Sequence, residues 1–125
     1  MDSREPKILM AEDNQVNRKL AELLFKQKPG QLYLAENGAE AVEKARSMPF
    51  DLIFMEIEMP VMNGLEAAKI LRTELQPCPP IVALTAHLLD WSKTEMAEKG
   101  IDQVLSKPLR GEELEQVYAL LLPQL

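Results

Sequence analysis

Three carboxylates, one lysine and one hydroxyl stand where short apolar runs end. Glu12 and Asp13 follow Ile8 to Ala11, Glu56 follows Leu52 to Met55, Thr85 follows Ile81 to Leu84, and Lys107 comes just after Val104 and Leu105. A merely solvated charge run would show no such phasing, so these groups are read as sharing one site. Crowded carboxylates repel one another and hold protons more tightly unless a cation enters. Hard oxygen ligands with room for water suit Mg2+, which commonly takes one or two protein carboxylates beside phosphate oxygens. Lys107 would then meet a phosphoryl group as a mobile point charge, and the Thr85 hydroxyl would donate a hydrogen bond to it. Metal, lysine and hydroxyl together suit phosphoryl chemistry.

The elements that must position these groups follow from the pattern around them. Short apolar runs alternate five times with longer segments of helical period, as βα units closing a parallel sheet do. The strands are expected at Ile8 to Ala11, Leu32 to Ala35, Leu52 to Met55, Ile81 to Leu84, and Val104 with Leu105; their unbroken apolar character suits strands covered on both faces. Val16, Leu20, Leu23 and Leu24 recur at helical spacing, as do Val42 with Ala45 and Leu114 with Val117 and Leu121, and each set predicts a core-facing stripe. Asn37-Gly38 and Asn63-Gly64 mark turns from strand to helix, Pro29-Gly30 closes the first helix and Gly100 the fourth. That fourth helix, Leu88 to Lys99, has no single apolar stripe, and Trp91 faces either a partner or solvent. In such a sheet, ligands bind beyond the carboxyl ends of the strands, where all the candidate groups stand.

The bulk numbers bound the function. The 125 residues, 46% hydrophobic and 27% charged, predict one folded domain. A net charge of −6 excludes a nucleic-acid surface built on a basic stripe. The lone Cys78 and the lack of a leader or long apolar run predict a cytosolic domain without membrane contact.

On these residues the chain resembles the receiver domain of two-component response regulators and hybrid histidine kinases. The segments ILMAEDNQVN, AENGAEAVE, FDLIFMEIEMPVMNG, PPIVALTAH and LSKPL carry the likeness in order. The resemblance implies a receiver at 7–122 behind a polar lead-in at 1–6, and a doubly wound α/β fold of flavodoxin-like type with strand order 2-1-3-4-5. It implies that Asp13 ligates Mg2+ directly, Glu12 acts through water, and the backbone carbonyl of Glu58 completes the site with Glu56. Thr85 matches the hydroxyl that follows the phosphoryl group, Lys107 the family lysine, and the Lys107-Pro108 bond is often cis in such domains. Ala86, Val104 and Pro108 fall at switch and rim positions, while Asp51 precedes the third strand and is not the acceptor. Implied partners are a histidine kinase or a histidine phosphotransfer domain, with a downstream protein target on the surface from the fourth to the fifth helix. The resemblance also implies a domain that signals rather than turning over substrate.

Two residues depart from the pattern. Glu56 stands where the family carries the phosphoaccepting Asp, and Val104 where an aromatic switch residue is common. The extra methylene moves the carboxylate outward by about 1.5 Å, and misplacement of order 1 Å can cost on the order of a hundredfold in transfer rate. Glu56 therefore either imitates the phosphorylated state or merely pairs with Lys107, leaving an inert docking module. A small doubly wound phosphohydrolase is the third reading; it lacks a Gly-rich phosphate loop after the first strand and a nucleophile to pair with His87, which is expected to be exposed.

Overall fold

The structure, a computed structural model, describes residues 5–122. Five strands, β1 (Lys7–Ala11), β2 (Gln31–Ala35), β3 (Leu52–Glu56), β4 (Ile81–Thr85) and β5 (Gln103–Ser106), alternate with α1 (Gln15–Phe25), α2 (Gly38–Ser47), α3 (Gly64–Glu74), α4 (Lys93–Glu98) and α5 (Gly111–Leu121). The strands form one parallel sheet in the order β2-β1-β3-β4-β5, the order expected from the sequence. All five carboxyl ends therefore open on one edge, with the order reversing between β1 and β3.

Successive strand residues face opposite sides of the sheet, and this explains the unbroken apolar runs. Leu9, Ala11, Ile53, Met55, Ile81 and Ala83 pack with Ala41, Val42, Ala67, Leu71 and Met96 on one side. Ile8, Met10, Leu52, Phe54, Val82 and Leu84 pack with Ala21, Phe25, Leu114, Val117 and Tyr118 on the other. Phe25 meets Phe54 edge-on at 5.7 Å between centroids, a contact contributing about 1 kcal/mol beyond its burial.

Both Asn-Gly pairs begin helices as expected. Asn37 accepts from Glu40 N–H at 2.8 Å, and Asn63 accepts from Glu66 N–H at 2.9 Å while Glu66 accepts from Asn63 N–H. Three local expectations are corrected. Val16, Leu20 and Leu23 are exposed by 66%, 52% and 56%, and α1 instead buries Ala21 and Phe25 with Leu24 half-buried beside them. The face that meets the sheet lies roughly opposite Val16, because a turn holds 3.6 residues. The fourth helix is broken: a single 3-10 turn at Leu88–Asp90 is followed by Ser92, whose capping box with Glu95 starts α4 afresh. Trp91, between them, is half-buried against the core. Finally, α1 ends at Phe25 with Lys26 as its cap, so Gly30, at φ 126°, turns the chain into β2 rather than closing the helix.

Of the expected lead-in, residues 1–4 lie outside the described residues. Pro6 is buried, and its carbonyl accepts from Gln31 N–H at 2.8 Å. Asp51 accepts from Lys7 N–H at 2.8 Å, so this carboxylate serves the start of β1 at the opposite end of the sheet. No helix among the described residues is long and apolar enough to cross a membrane.

Candidate functional site

Buried polar side chains are costly unless paired. Among the described residues those that are buried are Glu12, Glu56 and Thr85, and all three lie at the carboxyl edge of the sheet. The strands dictate this placement. Glu12 N–H continues the ladder to Ala35 O at 2.9 Å, and Ile57 N–H bonds Leu84 O at 2.9 Å, so the carboxylates beside them leave the sheet at fixed heights. Lys107 is set by its own N–H, which donates to Thr85 O at 2.9 Å, and the Lys107-Pro108 bond that follows is cis.

One oxygen each from Glu12, Asp13 and Glu56 lies within 4.8 Å of the others, Asp13 at the exposed rim and the two glutamates inside. Lys107 Nζ contacts the Glu56 carboxylate directly and stands 3.8 Å from Glu12 Oε2. Asp13 N–H points to Glu56 Oε2 at 3.4 Å, and Asn14 N–H donates to Glu12 Oε2 at 3.1 Å. Burial raises the Glu12 pKa, and the Asn14 amide and the Lys107 charge only partly oppose this. A hard cation would relieve the same desolvated charge, and the donor set is all oxygen, so the residues fit Mg2+.

Thr85 does not reach Glu56 in this arrangement. Its hydroxyl lies 3.3 and 3.5 Å from the two Glu58 carboxylate oxygens, and it accepts from His87 N–H at 2.9 Å. The Glu58 contacts are longer than the usual O–H···O bond and correspondingly weak. Ala86, His87 and Pro108 are exposed at the rim, and Val104 is half-buried on β5. Of the residues named from sequence, 12, 13, 56 and 107 thus stand together, while the Thr85 hydroxyl meets the Glu58 side chain and the His87 amide, and Glu58 was expected only through its carbonyl.

The loop after β3 closes the pocket by close approach. A Cβ on Gly64 would stand 2.1 Å from Glu56 O, and one on Gly38 would stand 2.4 Å from Met62 O. Gly64 N–H also donates to Ile57 O at 2.9 Å, so the first turn of α3 lies directly against the backbone that carries Glu56. Within this loop Met62 N–H bonds Pro60 O at 2.7 Å around Val61, whose φ is 70°.

A parallel sheet of this order with an acidic pocket and a lysine at its carboxyl edge defines a doubly wound signalling fold. The response regulator receiver domain model matches residues 8–119, and the chain belongs to that family. It is 34% identical over 121 residues to the sensor histidine kinase GacS of Pseudomonas protegens and 35% over 108 residues to the histidine-protein kinase BarA of Escherichia coli. These alignments cover 94% and 86% of this chain but only 13% and 12% of those kinases. The chain is thus a receiver domain of two-component phosphorelay signalling, homologous to the receivers of hybrid kinases. Among solved structures, the receiver of the sensor histidine kinase PA1611 from Pseudomonas aeruginosa, which has a magnesium ion coordinated in its active-site cleft, superposes with a TM-score of 0.86 at 29% identity, covering 96% of this chain and 99% of that one. The receiver of Ssk1 from Saccharomyces cerevisiae, solved with the histidine phosphotransfer protein Ypd1, gives 0.85 at 28%, covering 98% of this chain and 94% of that one.

Proposed function

We propose that Glu56 occupies the phosphoacceptor position and that its pairing with Lys107 makes this a receiver which does not accept phosphate. The observation that carries the reading is the direct Lys107–Glu56 contact beside a Thr85 hydroxyl engaged by Glu58 and not by Glu56. Imitation of the phosphorylated state would draw Thr85 toward Glu56, so the arrangement favours the phosphorylation-defective form. A carboxylate also carries less charge and fewer acceptor oxygens than a phosphoryl group.

Asp13 and Glu56 with the Glu58 backbone carbonyl, and Glu12 through water, are the residues that would hold Mg2+. The ion would supply charge neutralisation to a phosphoryl oxygen. Lys107 and Thr85 are its companions on the protein side; here Lys107 is paired with Glu56, and the Thr85 hydroxyl lies in weak contact with Glu58. Partners of this domain are a histidine kinase or a histidine phosphotransfer domain, with a downstream protein target on the α4 to α5 surface, where Leu120 of α5 is 66% exposed; Leu89, in the 3-10 turn before α4, is 98% exposed. As part of a hybrid kinase it would stand on the cytoplasmic side and act by binding rather than turnover.

The test is incubation with a small phosphodonor and Mg2+, followed by intact-mass measurement. The Glu56→Asp variant should gain one phosphoryl group and the parent none. Phosphate on the parent at Glu56 would overturn the reading, and phosphate on neither form would mean that the pocket itself is inactive.

A further inference from the structure

We infer that Arg18 is a positioning residue of the acidic pocket, holding the peptide between Glu12 and Asp13 so that the pocket's rim faces Glu56. The inference rests on the pocket assigned above. Arg18 lies on the first turns of α1, where side chains lean back toward the helix N-terminus and so over the turn that leaves β1. Its Nη1 donates to the Glu12 carbonyl at 2.9 Å, its Nη2 stands 3.9 Å from Glu36 Oε2, and its side chain is only 17% exposed. The guanidinium meets Glu12 at its backbone carbonyl and pairs with none of the pocket's carboxylates, so it acts through the backbone.

The peptide plane transmits the effect. Glu12 C=O and Asp13 N–H belong to one rigid trans unit and point in opposite directions, so a donor fixing the oxygen also fixes the amide. That amide is the group aimed at Glu56 Oε2 at 3.4 Å. On its other side Glu12 is held by Ala35 O through its N–H, and Glu36, the next residue of that chain segment, faces Arg18. Glu12 is therefore held at its N–H by the last residue of β2 and at its carbonyl by Arg18, with Glu36 beside the guanidinium at longer range. An uncharged donor would hold the carbonyl less firmly, since hydrogen bonds from charged groups are roughly twice as strong.

The test uses Arg18→Gln and Arg18→Lys in the parent and in Glu56→Asp protein. In metal-free protein the Asp13 amide is followed by hydrogen exchange and by its nitrogen-proton resonance, and Mg2+ affinity is measured in the Glu56→Asp form. Arg18→Gln should speed Asp13 exchange and weaken Mg2+ binding, each by about tenfold, the loss expected for one charged hydrogen bond near 1.4 kcal/mol. Arg18→Lys should recover much of both, because it restores a charged donor. An unchanged Asp13 amide in Arg18→Gln, or equal impairment by Gln and Lys that follows only thermal stability, would overturn the inference. Absence of Mg2+ binding with Arg18 intact would instead count against the pocket reading, and the metal-free Asp13 measurement would still decide the role of Arg18.

Discussion

Val61 sits exposed in the loop after β3 with φ at 70°, a region that a β-branched side chain enters only under strain. Three-residue turns of this sense are rare, and the surrounding contacts of Met62 with Pro60 and Gly38 hold this one closed. Val61→Gly should therefore stabilise the fold by about 1 kcal/mol, the relief of strain exceeding the entropy glycine adds to the unfolded chain. Urea unfolding with an unchanged slope and a higher midpoint would be the expected result. At this scale the sequence was informative wherever a residue's place depends on strand phase alone. Glu12, Asp13, Glu56, Thr85 and Lys107 each end a strand or follow it within two residues, so their placement at one edge of the sheet could be read from spacing. The roles of Glu58 toward Thr85 and of Arg18 toward Glu12 depend on side-chain reach and peptide orientation, to which spacing is blind.

Elements were legible to the extent that burial pattern marks them. Every strand appears where an apolar run stands, lengthened by at most a polar residue at each end, as with Gln31 in β2 or Glu56 in β3. The stripe of α1 was misassigned because apolar residues occur on two sides of that helix, and the smaller Ala21 with Phe25 makes the better fit to the sheet. The fourth segment was read as one helix because Ser92 and Glu95 resemble ordinary polar helix positions until their reciprocal capping is seen. Packing of α5 leads to a pH prediction. Tyr118 is buried, its hydroxyl donates to Pro29 O at 2.8 Å, and burial pushes its pKa from 10.0 up to about 12. The neutral phenol is thus favoured in the folded state, so its contribution is whole below the unfolded value and is lost as pH rises through about 12. Denaturant titrations across that alkaline window should show stability falling in the parent but less steeply in Tyr118→Phe, which at neutral pH should be weaker by about 1 kcal/mol for the missing bond.

Across the whole molecule, the exposed side of α1 is where three large apolar residues on one helix lie open to solvent. Val16, Leu20 and Leu23 line a surface next to the helix start that follows Asp13, within reach of anything approaching the pocket. Replacing both Leu20 and Leu23 with Gln should leave unfolding stability within about 0.5 kcal/mol, as exposed substitutions usually do. The same pair of changes should weaken association with a histidine phosphotransfer domain that binds the parent by on the order of tenfold or more, read by calorimetry. Unaltered affinity would assign recognition to another face. The placement of Lys107 also has a consequence for assembly. The carboxylates belong to the first half of the chain, while the ammonium group that balances them arrives on the last strand-to-helix connection. A fragment ending before β5 would therefore lack both that counter-charge and the cover for the outer edge of β4.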